Sequence, residues 1–263
     1  MRTVHLPLTK FYSMTLPADW FIKWFNSPYY HQLYFEHNEK EAALLIEHLL
    51  THLRPNSNAL MLDMACGRGR HARALAAKGF DVTGTDIAPD SIAFARRFEN
   101  DHLHFYQHDM RLPFWINYFD YAFNFFTSFG YFKTQREHYN AIRTIAQSLK
   151  KNGTLVMDYL NAHYAEDRLV HISQKEINGV IYHLTKWYDE THFYKKILIE
   201  DEKTGTHQEF AERVAKFSLG DFNDMFTFHG LQIQEVFGDY DLNVYDVKKS
   251  PRMVMIAKKI DMR

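Results

Sequence analysis

The chain has 263 residues, 46% hydrophobic and 24% charged, which is enough apolar material for one well-packed domain and too much for a disordered chain. Its 31 Lys and Arg against 32 Asp and Glu leave a net charge of −1, so it lacks the basic excess of a domain built to track phosphate backbones. The single cysteine, Cys66, excludes an intramolecular disulfide and a multi-cysteine metal site.

The first 16 residues mix Arg2, His5 and Lys10 with scattered apolar residues and lack the continuous apolar stretch of a signal peptide. No window approaches the roughly 18 consecutive apolar residues of a membrane span. With the cysteine usage, this leads us to expect a cytoplasmic protein with no membrane partner. From about 18 to 53 the pattern is helical. Trp20, Phe21, Trp24 and Phe25 form an aromatic stripe, Asn26-Ser27-Pro28 breaks it, and a second amphipathic helix covers 39–53.

A strand–helix rhythm follows. Strand 59–64 runs into Gly67-Arg68-Gly69 and a helix that Gly79 stops, and strand 81–85 ends at Asp86 before a helix opened by Pro89. Strand 103–107 ends near Asp109, strand 120–126 precedes a helix over 135–149, and strand 154–159 follows the Asn152-Gly153 turn. Such alternation predicts βαβ units and a largely parallel sheet. Residues 168–216 lose the helical period, and Asn178-Gly179 between two strand-like runs is a hairpin signal, so an antiparallel meander of about four strands is expected here. Ser218 with Asp221 caps a helix ending at Gly230, and strands near 231–239 and 252–259 close the chain. The expected organisation is a helical cap over 1–58, an α/β core over 59–160, an inserted antiparallel lid or interface over 161–217, and a helix with two strands completing the core over 218–263.

The Gly-rich turn after the first strand lets a ligand approach the backbone closely. Gly67-x-Gly69-x-x-Ala72 also fits a dinucleotide fingerprint, with Asp86 seventeen residues past Gly69 against an expected spacing of about 20. Asp63 argues the other way. A carboxylate beside the turn repels a pyrophosphate and attracts a cationic ligand, a preference of about 4 kcal/mol at a few ångströms and an effective dielectric near 20. S-adenosylmethionine carries both a sulfonium and an ammonium. Asp63, Asp86 and Asp109 are each 23 residues apart, about one βα unit, so they fall at successive strand ends on the edge where open α/β sheets bind ligands. Asp86 is placed to accept from ribose hydroxyls and Asp109 from the adenine amino group. A loop-starting or capping role is the plainer reading of any one of them.

Residues 59–159 resemble the class I S-adenosylmethionine-dependent methyltransferases. Leu62-Asp63-Met64-Ala65-Cys66-Gly67-Arg68-Gly69 is similar to their first motif, Asp86 to their ribose-binding acid, Asp109-Met110 to their adenine-contacting pair, and Lys150 to Thr154 to the turn before their fifth strand. Gly230 and Ser250 to Met253 more loosely resemble the turns around their last two strands. The resemblance implies a Rossmann-like, doubly wound, mostly parallel seven-stranded sheet of order 3-2-1-4-5-7-6. The meander is inserted into it, and the N-terminal helices cover the cofactor. It implies S-adenosylmethionine as cofactor, bound by Asp63, Ala65, Cys66, Gly67, Gly69, Asp86, Ile87, Asp109, Met110 and Asn124.

Ala65 departs from the family's frequent glycine, a change tolerated if its φ is negative. Asn124-Phe125-Phe126 lacks the Pro-Pro-aromatic turn of enzymes that methylate exocyclic amines of DNA or amide nitrogens. The following loop, 127–132, offers Phe129 and Tyr131 as substrate-side residues, core packing being the competing reading. Tyr30 and His31 are further candidates, His31 with a general-base role if its pKa lies near neutrality. His37 reads as solvated helix surface. His102, His104 and His108 read as packing residues, so no metal is expected. The expected activity is in-line methyl transfer to a nitrogen or oxygen of a small molecule, with no catalytic residue assigned. An RNA or protein acceptor, a nicotinamide-dependent oxidoreductase and a non-catalytic adenosylmethionine-binding module stay open, as does a homodimer through 161–217.

Overall fold

The computed structural model describes residues 16–17, 19–35 and 39–260. His37 and the N-terminal segment before residue 16 lie outside the described residues. Three helices come first: α1 (Trp20–Phe25), α2 (Pro28–Phe35) and α3 (Glu39–Leu53). The break expected at Asn26-Ser27-Pro28 is real, but Pro28 opens α2 as well as ending α1, because a first-turn proline lacks only an N–H that no helix bond would use.

The core alternates β1 (Leu60–Met64), α4 (Arg70–Ala76), β2 (Asp81–Asp86), α5 (Pro89–Ala95), β3 (Leu103–Gln107), β4 (Phe119–Asn124), α6 (Gln135–Ser148) and β5 (Leu149–Leu160). After α7 (Ala162–Asp167) comes the meander: β6 (Ile172–Ile177), β7 (Val180–Tyr188), β8 (His192–Asp201) and β9 (Thr206–Ala215). The chain closes with α8 (Leu219–Phe228), β10 (Leu231–Phe237) and β11 (Arg252–Lys259). β5 starts five residues earlier than its apolar run suggests. Asn152 takes φ 63°, and the β4–β5 register shifts between Phe119 and Tyr121, so Asn152-Gly153 is a kink inside the strand instead of a turn before it.

The large sheet has the order β10-β11-β5-β4-β1-β2-β3, with β11 antiparallel to both neighbours and the β5-β4-β1-β2-β3 pairs parallel. This is the seven-stranded α/β arrangement expected, and β6-β7-β8-β9 forms a separate antiparallel sheet. Both sides of the parallel strands are buried, which is why they read as short apolar runs. Ser218 caps α8 through a capping box with Asp221, and Thr134 does the same for α6 with Glu137.

The N-terminal helices bridge the two sheets. Glu212 on β9 accepts the Trp24 indole N–H at 2.7 Å, the Tyr34 hydroxyl at 2.7 Å and Lys195 Nζ at 2.6 Å. Burial pushes this carboxyl up, but Lys195 and the bonds from Tyr34 and Trp24 hold it below the usual carboxylate range. No helix among the described residues is long and apolar enough to cross a membrane.

Candidate active site

At the carboxyl end of β1 the chain turns through Ala65 (φ 59°), Gly67 (φ 56°) and Gly69 (φ 79°) before entering α4. The condition that made Ala65 tolerable, a negative φ, is not met. Its left-handed backbone costs about 1–2 kcal/mol, and the turn around it is fixed by Cys66 N–H to Thr85 O at 2.9 Å and Gly67 N–H to Asp86 Oδ2 at 2.8 Å. The two glycines do different work. A Cβ on Gly67 would meet nothing within 4 Å, so its open side faces the cavity. A Cβ on Gly69 would lie 2.6 Å from the Phe105 ring, so Gly69 serves close packing of the turn on β3 and does not line the cavity. Burial pushes the Cys66 thiol up, with Asp63 and Asp86 adding to it, which suits a neutral wall residue and not a nucleophile.

The cavity, about 320 Å³, lies over the carboxyl ends of the central strands and under α1 and α2. Ala65, Cys66, Gly67, Asp86, Ile87, Asp109 and Met110 from the expected cofactor set line it, as do Tyr30, His31 and Tyr131 from the substrate-side set. Asp86 accepts Gly67 N–H and Ala88 N–H, each at 2.8 Å, which ties the β2 end to the Gly turn. Burial pushes its carboxyl up and those N–H groups oppose the shift. Asp109 is gripped by Arg111, whose Nη2 lies 2.6 Å away and whose Nη1 reaches Glu137 at 2.6 Å. Partial burial raises the Asp109 carboxyl, but Arg111 holds it below its ordinary range.

Four residues of the expected set lie outside the wall. Asp63 is 1% exposed and turns to Ala72 N–H at 3.0 Å, fastening α4 to β1 from behind the turn. Burial raises its carboxyl to about 7, against the pull of Ala72 and Arg70. Asn124 is fully buried and donates to Met64 O at 3.0 Å, clamping β4 to β1. Gly69 packs on Phe105, as above. Phe129 is fully buried against Phe217 and Phe222, with ring centroids 5.9 Å away in both cases, so it belongs to the core and not to a substrate pocket. In this irregular loop Tyr131 faces the cavity and Phe129 faces away, a distinction that no periodicity encodes.

Over the cavity, Phe25 sits between Tyr30 (4.9 Å) and Tyr131 (5.0 Å), and Phe21 and Phe132 extend the aromatic wall. Burial pushes both phenols well up, so they stay protonated. His31 contacts Ser91 Oγ at 3.2 Å. Burial, helped by Arg68, lowers its pKa to about 4, which removes the tuning near neutrality that a general base would need.

Sequence reasoning missed the group that shapes the β4 end. Asp158 on β5 is fully buried and accepts Phe126 N–H at 2.7 Å, Tyr240 O–H at 2.9 Å and Arg252 Nε at 2.7 Å. Arg252 Nη2 also reaches Thr127 Oγ1 at 2.9 Å. The available signal was an acid inside the apolar run Leu155 to Tyr159.

The residues present suit S-adenosylmethionine: the turn has an open glycine face, acids stand at adjacent strand ends, and aromatic rings cover the region where a sulfonium would lie. A family model described as a methyltransferase domain matches residues 61–153. A putative methyltransferase of Bacillus subtilis (strain 168), YqeM, is 33% identical over 101 residues, which covers 37% of this chain and 41% of that protein, less than half its length. The dTDP-3-amino-3,6-dideoxy-alpha-D-glucopyranose N,N-dimethyltransferase of Streptomyces fradiae is 26% identical over 183 residues, 67% of this chain and 71% of that protein. The crystal structure of an S-adenosylmethionine-dependent methyltransferase from Clostridium acetobutylicum ATCC 824 has the same fold, with a TM-score of 0.74 at 15% identity, covering 89% of this chain and 96% of that one. Residues 61–153 thus match a methyltransferase domain, and the chain has the fold of S-adenosylmethionine-dependent methyltransferases.

Proposed function

We propose that the protein methylates an amine nitrogen of a small-molecule acceptor. In this reading Asp86 and Ile87 hold the ribose, Asp109 and Met110 hold the adenine, and the Ala65–Gly67 turn faces the amino-acid end. When bound, S-adenosylmethionine supplies a methyl group on a sulfonium open to in-line attack. The chain's task is to align the acceptor and exclude water, which the rings of Phe21, Phe25, Tyr30, Tyr131 and Phe132 suit.

The observation that carries the nitrogen reading is that Tyr30, His31 and Tyr131, the titratable candidates in the covering aromatic wall, are all held away from neutrality. His108, on the Asp109 side of the cavity, contacts Leu112 O. The acids in that wall are all engaged: Glu39 by Arg73, Asp86 by backbone N–H groups and Asp109 by Arg111. Tyr30 and Tyr131 stay protonated and His31 stays neutral. A hydroxyl acceptor needs a base, whereas an amine needs only to arrive uncharged. Transfer then moves positive charge from sulfur to nitrogen, and ring faces favour that charge throughout. The Streptomyces fradiae relative, named for N,N-dimethylation of an amino sugar nucleotide, supports the same acceptor chemistry.

The test is a paired library of amino sugars and other amines against their hydroxyl analogues, scored by adenosylhomocysteine release and product mass. Turnover of amines to mono- or dimethylated products is expected. Turnover confined to the hydroxyl analogues, to RNA or to protein would overturn the reading.

A further inference from the structure

We propose that the aromatic patch beside β3 is an interface for a second copy of this chain, paired about a two-fold axis. The proposal is independent of the acceptor and of how the cofactor lies.

β3 is an edge strand of the large sheet, and its backbone is closed to strand addition. The Phe105 N–H donates to Glu99 Oε1 at 2.8 Å, and the Phe105 carbonyl accepts from Arg96 Nε at 3.1 Å. Leu103 and Asn100 exchange N–H bonds at 3.2 and 3.1 Å. An edge blunted in this way does not template a continuous sheet, so a partner must pack on side chains. The β3–β4 connection folds back beside this edge, with Phe114 and Trp115 each 5.8 Å from the Tyr106 ring. Its residues 112–119 carry no charge. Ile116 is 63% exposed and Leu112 57%, and Trp115, Tyr118 and Tyr106 are also open to solvent.

The patch is contiguous and fixed. The Trp115 ring lies 4.9 Å from Phe114 and 4.7 Å from Tyr118. Trp115 and Asn117 have φ of 38° and 51°, conformations their side chains disfavour. They are held there by Asn117 N–H to Gln147 O at 2.8 Å, Tyr118 N–H to Ser148 O at 2.9 Å and Lys259 Nζ to Asn117 Oδ1 at 2.9 Å. A surface ordered in advance has little side-chain freedom left to lose on association.

Size and charge select the occupant. The exposed parts of Tyr106, Leu112, Trp115, Ile116 and Tyr118 leave roughly 500 Å² of apolar surface open, near the upper end for a single monomer. Two such patches face to face hide about 1,000 Å², and with a polar rim about 1,500 Å², the size of a stable interface. A two-fold contact sets a surface against itself, so a charged patch repels its own image and an uncharged one does not. Arg111 and Lys259, which flank the segment, are engaged by Asp109 and Glu137 and by Asn117 and the Leu149 carbonyl, and neither is left to hold an anionic lipid. The meander's exposed side carries ion pairs instead, such as Lys196 with Glu209 at 3.0 Å.

The experiment is sedimentation equilibrium of the full chain up to about 100 μM, for the wild type, Ile116→Glu and Leu112→Glu. Both positions are mostly exposed, so the far-UV spectrum of each variant stays that of wild type. The wild type is expected to sediment as a dimer. Each variant is expected to associate about 100-fold or more weakly, because it buries an unpaired carboxylate in an apolar contact. A wild type that stays monomeric throughout overturns the proposal, and its co-sedimentation with phosphatidylglycerol vesicles would give the patch to a lipid surface. A dimer that both variants leave intact also overturns it and places association on another face.

Discussion

The carboxylate of Asp158 accepts the amide N–H of Phe126 at 2.7 Å, and this bond joins the buried end of β5 to the first strained residue after β4. Phe126 and Thr127 have φ of 58° and 56°, unusual for an aromatic residue and more so for a β-branched one. Thr127 is held by its own N–H to Asp158 O at 3.1 Å and, on its hydroxyl, by Arg252 and by the Leu160 N–H at 3.1 Å. The network converts buried charge into a fixed cavity wall.

Removing Asp158 tests that network. Arg252 is 19% exposed in its side chain, so Asp158→Ala leaves a mostly buried guanidinium without its carboxylate, and unfolding in urea should show a loss of about 3–5 kcal/mol. Asp158→Asn should lose less stability and still weaken cofactor affinity, because an amide holds Phe126 and Arg252 less well. A loss below about 1 kcal/mol for the alanine variant would mean that the pair is solvated.

The turn after β1 gives three separable outcomes. Ala65→Gly should stabilise the protein by about 1 kcal/mol, since glycine adopts φ 59° without the Cβ penalty. Gly67→Ala should cost about 1–2 kcal/mol in stability and sharply weaken cofactor binding, because its methyl group enters the cavity. Gly69→Ala should destabilise more, by a further 1–3 kcal/mol or so, through the clash with Phe105. Denaturant midpoints together with adenosylhomocysteine titrations separate the three.

Acid stability has a defined sign. His31 and His138 are buried and their pKa values lie near 4, mainly through desolvation, and His71 is lowered by the same cause. Between pH 4 and 6.5 these rings bind fewer protons folded than unfolded, so their stabilisation is complete above 6.5 and is lost as pH falls through that window. Asp63 acts oppositely: with its pKa raised to about 7, its contribution is complete below 3.8 and is lost as pH rises through 7. Asp86 is raised as well and acts like Asp63. Against them, His192 and His229 are lowered with the other three rings, and Asp109, Glu137, Asp189 and Glu212 are held below their ordinary range, so unfolding free energy should fall from pH 6.5 to 4. His138→Gln should flatten that slope and Asp63→Asn should steepen it. A wild-type stability that is level or rising on acidification would refute the assignment.

Much of this architecture is legible in the chain. Short apolar runs ending in Asp63, Asp86 and Asp109 locate three strand ends at one sheet edge, and Asn178-Gly179 locates a hairpin of the second sheet, because these signals are local. What escaped is non-local. The φ of Ala65 is set by closure of its turn onto Thr85 and Asp86, and the Asp158–Arg252 pair joins residues 94 apart. Asp63 lies at the expected strand end but faces Ala72, since the first turn of α4 offers it a backbone N–H at 3.0 Å. Phe129 and Tyr131 divide between core and cavity through loop geometry alone.

Tyr30 and Tyr131 serve as walls in this account, so their hydroxyls are dispensable. Tyr30→Phe and Tyr131→Phe should keep kcat within about tenfold of wild type with an amine acceptor, whereas alanine at either position should cost more. The pH–rate profile should follow the acceptor amine's own pKa. A profile set by an enzyme group near neutrality would restore a general base to the site.

The central claim is that the cavity at the strand ends takes S-adenosylmethionine, and thermal denaturation with adenosylhomocysteine or NAD tests it most directly. At about 100 times its dissociation constant a ligand adds about 2.7 kcal/mol, which raises the melting temperature of a chain this size by about 5–10 °C. The account predicts that shift with adenosylhomocysteine and none with NAD; stabilisation by NAD alone would contradict it.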